Sequence, residues 1–237
     1  NMMTSNIEEM RDLRDREGVF TDRLHAGEVL AEMVKPGYEN AEEGLILTIP
    51  SGGVPVGIRL AERLGLPMDL LIVRKLQIPG NTEAGFGAMT LDGRTFFNDR
   101  LLAELQLTDL QIASEKERVA MELKKRNALF RNDRPFPDLR EKRVILVDDG
   151  LASGFTMLAS VDLVKRANPE ETVVAVPTAP LRTVEHIAPQ ADRVYCANIR
   201  TTRFFAVANA YQRWHDLTEE EVLALLVVFD LLFQFTD

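Results

Sequence analysis

The stretch Val144-Ile145-Leu146-Val147-Asp148-Asp149-Gly150-Leu151-Ala152-Ser153-Gly154-Phe155-Thr156-Met157 decides how this chain is read. Its first four residues are apolar without polar alternation, which is how a strand buried on both faces of a parallel sheet reads. That strand delivers two acids to its carboxyl end, and a short loop holding Gly150 and Gly154 then opens a helix. Consecutive backbone amides in such a loop, the helix N-terminus and the hydroxyls of Ser153 and Thr156 form a concave cradle for a phosphate monoester. Two carboxylates beside the cradle would repel that ligand unless sugar hydroxyls or Mg2+ engage them. An Asp-Asp-Gly turn with an ordinary helix cap is the bland account of the same residues.

Comparable runs recur on either side, at Leu45 to Ile49, Leu70 to Val73, Thr172 to Val176 and Val194 to Ala197. Between them lie helical patterns at Asp22 to Val34, Val54 to Leu64, Thr108 to Phe130, Thr156 to Ala167 and Arg182 to Ala188. Thr108 with Gln111 makes a capping box for the longest of these, whose Ile112, Val119, Leu123 and Phe130 share a face. The alternation predicts an α/β fold, doubly wound, with a mainly parallel five-stranded sheet flanked by helices and ligands at the carboxyl ends of its strands. One domain is expected over 1–237, with an N-terminal extension over 1–18 and a hood and C-terminal helix over 198–237.

Two segments break the pattern. Leu76 to Asp92 carries Pro79, Gly80, Asn81, Gly85 and Gly87 with no convincing period, so a long mobile excursion is expected there. In the tail, Thr218 and Glu221 form a second capping box, opening Val222 to Phe235, apolar nearly all round apart from Asp230 and Gln234. That helix is too short to span a bilayer and lacks the basic face of a membrane anchor, so it is expected to pack on its own domain or on a partner subunit.

Composition bounds the function. With 28 Lys+Arg against 37 Asp+Glu, the net charge of -9 repels phosphate on average, so nucleic acid is not expected as a partner and a phosphorylated ligand needs a local site. A single cysteine, Cys196, and three histidines argue against a disulfide framework or a Cys/His metal centre, and they fit a cytoplasmic setting. The start, Asn1-Met2-Met3-Thr4, lacks the layout of a secretory signal, and Asn1 ahead of Met2 reads as a cloning remnant. His25, His186 and His215 show no catalytic spacing and are expected at the surface or in caps.

The run from Val144 to Thr156 resembles the phosphoribosyl diphosphate (PRPP) signature of type I phosphoribosyltransferases, agreeing in residue type, order and spacing. The resemblance implies that Asp148 and Asp149 hold the ribose 2′- and 3′-hydroxyls directly or through Mg2+. It also implies that Gly150, Leu151, Ala152, Ser153, Gly154, Phe155 and Thr156 wrap the 5′-phosphate. Ser153 stands where Thr is commoner, and Phe155 where a small residue is usual; its ring either enters the core or narrows the site. The segment Thr48 to Gly57 resembles the family's diphosphate loop, with Ser51, Gly52 and Gly53 at its centre. Phe20-Thr21-Asp22-Arg23 with Ala26-Gly27 is similar to a segment of uncharacterised bacterial phosphoribosyltransferase-domain proteins that are basic at the position of Ser51.

By the same resemblance Leu76 to Asp92 is the flexible catalytic loop, yet Leu76 to Met89 contains no Lys, Arg or His, and Glu83 is its only charged residue. Arg74 and Lys75, at the exit of the second strand, are then the expected electrophilic substitutes, with Mg2+ or a neighbouring subunit in a homo-oligomer as further sources. The acceptor is expected under Asn198 to Trp214, where Phe204, Phe205, Tyr211 or Trp214 could stack on a planar base, with Phe204 and Phe205 as the choice. The implied activity is Mg2+-dependent transfer of 5-phosphoribosyl from PRPP to a nitrogen acceptor, a nucleobase, with release of diphosphate. The alternative is a non-catalytic PRPP- or nucleotide-sensing regulator on the same fold, motivated by Ser51, Phe155 and the uncharged loop. A Mg2+-dependent phosphohydrolase is disfavoured, because no third acid or nucleophile follows Asp148 and Asp149 at readable spacing.

Overall fold

The apolar runs become neighbouring strands because consecutive residues on each of them enter different cores. Ile46, Ile145, Val147, Val173 and Ala175 face one apolar cluster, while Leu45, Leu47, Val144, Leu146, Val174 and Val176 face another. A strand with a core on both sides has no polar face, which is why these runs show no alternation. The computed structural model describes residues 6–233. The Asn1 to Thr4 start, the expected helix end at Gln234 and Phe235, and the side chain of Glu83 lie outside the described residues.

In chain order the elements are β1 (Ile7–Glu9), α1 (Arg23–Tyr38), β2 (Gly44–Thr48), α2 (Gly53–Leu64), β3 (Met68–Leu70), β4 (Val73–Ile78), β5 (Asn81–Thr90) and β6 (Thr95–Phe97). They continue with α3 (Asp99–Leu105), α4 (Asp109–Arg131), β7 (Arg143–Val147), α5 (Phe155–Arg166), β8 (Glu171–Pro180), α6 (Leu181–Ile187), β9 (Arg193–Arg200) and α7 (Glu219–Phe233). The main sheet has six strands in the order β1-β9-β8-β7-β2-β3, and every pairing in it is parallel. Helices α1, α2, α4 and α7 supply one cluster, and α5 and α6 supply the other. The doubly wound reading holds, with one strand more than the five expected. The extra strand is β1, whose Ile7-Glu8-Glu9 is too short and too acidic to read as a buried run.

The helix starts follow their caps. The Asp22 carboxylate accepts from the His25 amide at 3.0 Å and opens α1. Both halves of the Thr108 and Gln111 box are made at the start of α4. Thr218 and Glu221 bond reciprocally, at 2.8 and 3.2 Å, where α7 begins. Along α7, Val222 and Phe229 are buried in the core shared with α2, so the helix packs on its own chain, while Val227 and Val228 face outward. No helix among the described residues is long and apolar enough to cross a membrane.

Two expectations are corrected. The run Leu70 to Val73 is not one strand: Leu70 ends β3 in the parallel sheet, and Val73 begins β4 in a separate antiparallel sheet, β4-β5-β6. The supposed irregular excursion is therefore mostly a β-hairpin, turning at Pro79 and Gly80 between the paired Ile78 and Asn81. Register shifts on both sides of Gln77 break its period of two, and its glycines leave few side chains to reveal one. The hairpin base is packed on both sides, with Leu76 and Phe86 in one cluster and Val73 and Ala88 in the other.

Candidate active site

The parallel register sets Thr48 of β2 beside Val147 of β7, so the loops that follow both strands share one rim of the sheet. Asp148 and Asp149 leave β7 there, and Ser51-Gly52-Gly53 faces them. A Cβ on Gly52 would stand 2.0 Å from Asp149 Oδ2, so only glycine allows this approach. The Thr48 hydroxyl donates to the Gly53 carbonyl at 2.6 Å and holds the loop in place. The Gly53 amide donates to the Ile49 carbonyl at 3.0 Å, so it is already engaged.

The two acids are not equivalent. Asp149 Oδ2 accepts from Arg23 Nε at 2.9 Å, and the Asp149 carbonyl accepts from the Tyr211 hydroxyl at 2.5 Å. Arg23 is itself fixed, with its guanidinium carbon 3.9 Å from the centre of the Trp214 ring and Nη1 donating to the His215 carbonyl at 2.9 Å. Asp148 makes no ion pair of its own among the described residues; its Oδ1 accepts the Asp149 amide at 2.8 Å, and the Arg23 charge reaches it only past Asp149. Burial, then the neighbouring Asp149 charge, push the Asp148 carboxyl well above the usual carboxylate range. Burial also raises Asp149, opposed by the Arg23 charge.

On the other flank the loop after Asp149 turns into α5. The side chain of Leu151 is buried in the core and its amide donates to the Thr178 carbonyl at 3.0 Å, so this residue anchors the cradle without facing a ligand. Thr183 Oγ1 donates to the Ala152 carbonyl at 2.6 Å. Gly154, at φ 84°, caps α5 in the left-handed region where glycine is favoured. The hydroxyls of Ser153 and Thr156 have no hydrogen-bonding partner among the described residues. Phe155 packs against the α5 core cluster and lines an outer cavity with Phe96, Phe97 and Leu158, so its ring does not narrow the cradle.

The expected basic pair is not brought together at the rim. Arg74 and Lys75 are consecutive on β4 and so face opposite sides. Arg74 lies towards α4 with Nη2 3.2 Å from Glu122, and the Lys75 stem packs where a Cβ on Gly85 would be 2.2 Å away. The cation that does reach the loop is Arg126 of α4, whose Nη2 donates to Ser51 Oγ at 3.0 Å. It lies 75 residues from Ser51 in the chain, and the pattern of α4 draws attention only to its apolar face.

Phe204 is 82% exposed and Phe205 half-buried, beyond the end of β9. The aromatics near the acids are instead Tyr211, which packs on the fully buried Phe20 at 5.6 Å between ring centres, and Trp214 over Arg23. The Phe20 to Gly27 segment thereby acquires a physical account: Phe20 supports Tyr211, Asp22 caps α1, Arg23 neutralises Asp149, and Gly27 lets α1 approach Val56 of α2. The histidines fall where expected, with His25 Nδ1 accepting the Thr21 amide and His215 beside Glu221.

The phosphoribosyl transferase domain model matches residues 24–212, which include both loops and the acid pair. The chain belongs to that family. Among proteins similar to this phosphoribosyl transferase domain are two from Mycobacterium tuberculosis, strains CDC 1551 and H37Rv, each called "Putative phosphoribosyl transferase". Each is 33% identical over 208 residues, covering 88% of this chain and 46% of its own length. The chain thus spans about half the length of the curated relatives it matches. The crystal structure of TT1426 from Thermus thermophilus is similar at 35% identity and a TM-score of 0.70, over 89% of this chain and 98% of that one.

Proposed function

We propose that this domain transfers the 5-phosphoribosyl group of PRPP to a nitrogen acceptor, a nucleobase, and releases diphosphate. The observation that carries the reading is the meeting of two glycine-bearing loops on one partly buried acid pair, with Gly52 in contact with Asp149. A ligand with a phosphate at one end of a ribose and a diphosphate at the other matches that order. The amides and hydroxyls of Ala152 to Thr156, at the N-terminus of α5, take the 5′-phosphate. Asp148 and Asp149 accept from the ribose 2′- and 3′-hydroxyls, and the loop at Ser51 to Gly53 takes the diphosphate.

Transfer breaks the bond between the anomeric carbon and a diphosphate oxygen, whose electron pair leaves with the diphosphate. The acceptor nitrogen forms the new bond and its proton goes to solvent. The chain's contribution is to hold the reacting ends in line and to balance the leaving charge. The β4-β5 hairpin, packed at its base and projecting at Pro79 and Gly80, is suited to keeping water from the anomeric carbon.

The acid pair suits Mg2+, because Asp148 makes no ion pair of its own among the described residues and a hard ion is bound by carboxylate oxygens together with those of the substrate. No group of three or more His, Cys, Asp or Glu forms a protein-only metal cage among the described residues, so the substrate's oxygens would complete the ligand set. Bound there, Mg2+ would supply charge neutralisation to the diphosphate. Two of the three motives for the sensing alternative weaken, since Arg126 stands beside Ser51 and Phe155 lies outside the cradle, while Leu76 to Met89, without a basic residue, keeps that reading as the second one.

The test is calorimetric titration with PRPP and Mg2+, followed by isotope exchange with a panel of nucleobases. Binding with exchange on at least one base is expected. PRPP that neither binds nor turns over with any base would overturn the reading.

A further inference from the structure

The loop at Ser51 to Gly53 carries amide donors but no charge of its own. The Gly53 amide donates to Ile49, and the Ser51 carbonyl is taken by the Val54 amide at 3.2 Å. What stands at its outer end is the Arg126 guanidinium, 3.0 Å from Ser51 Oγ, while its inner end touches Asp149. Arg126 is half-buried, with its guanidinium carbon 5.0 Å from the centre of the Phe130 ring. Its only hydrogen-bonding partner among the described residues is that neutral hydroxyl. A guanidinium has five N–H donors in a fixed fork, so four remain to face an anion.

The nearby acids do not neutralise it. Glu122 is engaged by Arg74 at 3.2 Å and by Arg118 at 2.5 Å, and no carboxylate among the described residues pairs with Arg126 itself. Burial, then the like charge of Arg74, lower the Arg126 pKa from its ordinary value, with Glu219 and Glu122 opposing. It remains a cation at neutral pH. A guanidinium with free donors at the mouth of an uncharged loop favours a multiply charged anion over a single carboxylate or chloride.

We propose that Arg126 binds the diphosphate of the sugar substrate and stabilises it as it leaves, supplying from α4 the charge that the loop lacks at Ser51. This rests on the transferase reading. As the bond between the anomeric carbon and the diphosphate oxygen breaks, the electron pair moves onto that oxygen while Arg126 keeps its proton, so its role is electrostatic. The leaving-group cation then comes from the same chain, and neither a basic residue in the hairpin nor a neighbouring subunit is required.

The test compares PRPP, Mg2+-diphosphate and ribose 5-phosphate as calorimetric ligands of the wild-type chain, Arg126→Met, Arg126→Lys, Ser51→Arg and the double variant Ser51→Arg/Arg126→Met. Methionine keeps the stem over Phe130, and thermal melting checks that each variant folds. Arg126→Met is expected to weaken PRPP and diphosphate by roughly tenfold to a hundredfold, the worth of a charged hydrogen bond. Its affinity for ribose 5-phosphate should stay at the wild-type value. Arg126→Lys should fall between, and the double variant should recover most of the diphosphate affinity, which a merely structural role for Arg126 would not allow. Unchanged diphosphate affinity in Arg126→Met, or equal loss of all three ligands, overturns this inference while leaving the transferase reading in place. A wild-type chain that binds neither PRPP nor ribose 5-phosphate overturns the transferase reading instead.

Discussion

The loops after β7 and β2 meet at one acid pair but are equipped differently. The first, from Ala152 to Thr156, sits at the start of α5 and offers hydroxyls with no internal partner, and no basic side chain among the described residues hydrogen-bonds to it. The second, from Ser51 to Gly53, has internal bonds at its Gly53 amide and Ser51 carbonyl and takes a guanidinium from another helix. A compact phosphate monoester can be surrounded by amides at a helix N-terminus. A diphosphate that departs with growing charge needs a full cation, so an acidic chain can hold a doubly phosphorylated ligand with very few basic residues in the right place.

The sharpest way to break that comparison is to remove what both loops share. Asp148→Asn together with Asp149→Asn should abolish PRPP binding and also weaken ribose 5-phosphate by calorimetry, since the ribose loses its acceptors. Retained PRPP affinity would move the site elsewhere. Next comes Gly52→Ala, whose added carbon would fall 2.0 Å from Asp149 Oδ2. The loop or the acid must shift, so PRPP affinity should fall by more than tenfold, with about 1–3 kcal/mol lost in urea unfolding.

Arg23→Met tests the support beneath the pair. The Arg23 and Asp149 side chains are 8% and 14% exposed, so the variant leaves a buried carboxylate without its cation and should cost about 3–5 kcal/mol of stability by denaturant titration. A loss below about 1 kcal/mol would mean that Asp149 is solvated, or protonated, far more readily than its surroundings imply. Smallest are the cradle hydroxyls. Ser153→Ala should weaken ribose 5-phosphate by roughly tenfold or less and leave diphosphate unaffected, so a reversed preference would exchange the roles of the two loops.

Legibility followed the physics of burial. Leu45 to Ile49, Val144 to Val147 and Thr172 to Val176 could be read because two-sided cores demand unbroken apolar runs. β1 could not, since an edge strand of three residues has little to bury. The hairpin could not either, because bulges around Gln77 and several glycines erase alternation, and Leu70 to Val73 hid a passage between two sheets. In the site, Asp148 to Thr156 is contiguous and therefore visible. Arg126 is invisible because its meaning depends on α4 crossing to a loop 75 residues away, and Arg23 could be matched but given no role until its carboxylate partner was located.

Early and late parts of the chain meet at one sheet edge. β1 lies against β9, and the side-chain amide of Asn6 donates to the carbonyls of Ala188, 182 residues later, and Ala191. Asp15 likewise accepts from Thr201, and Asn198 donates to the carbonyls of Leu13 and Arg16. The first strand therefore emerges from the ribosome long before the surface it joins. Pairings of such separation form late and slowly, so the sheet edge at β9 is closed only after nearly the whole domain has been synthesised. Until then residues 6–17 have no place to dock, and the nascent chain carries an open strand edge exposed to pairing with other chains.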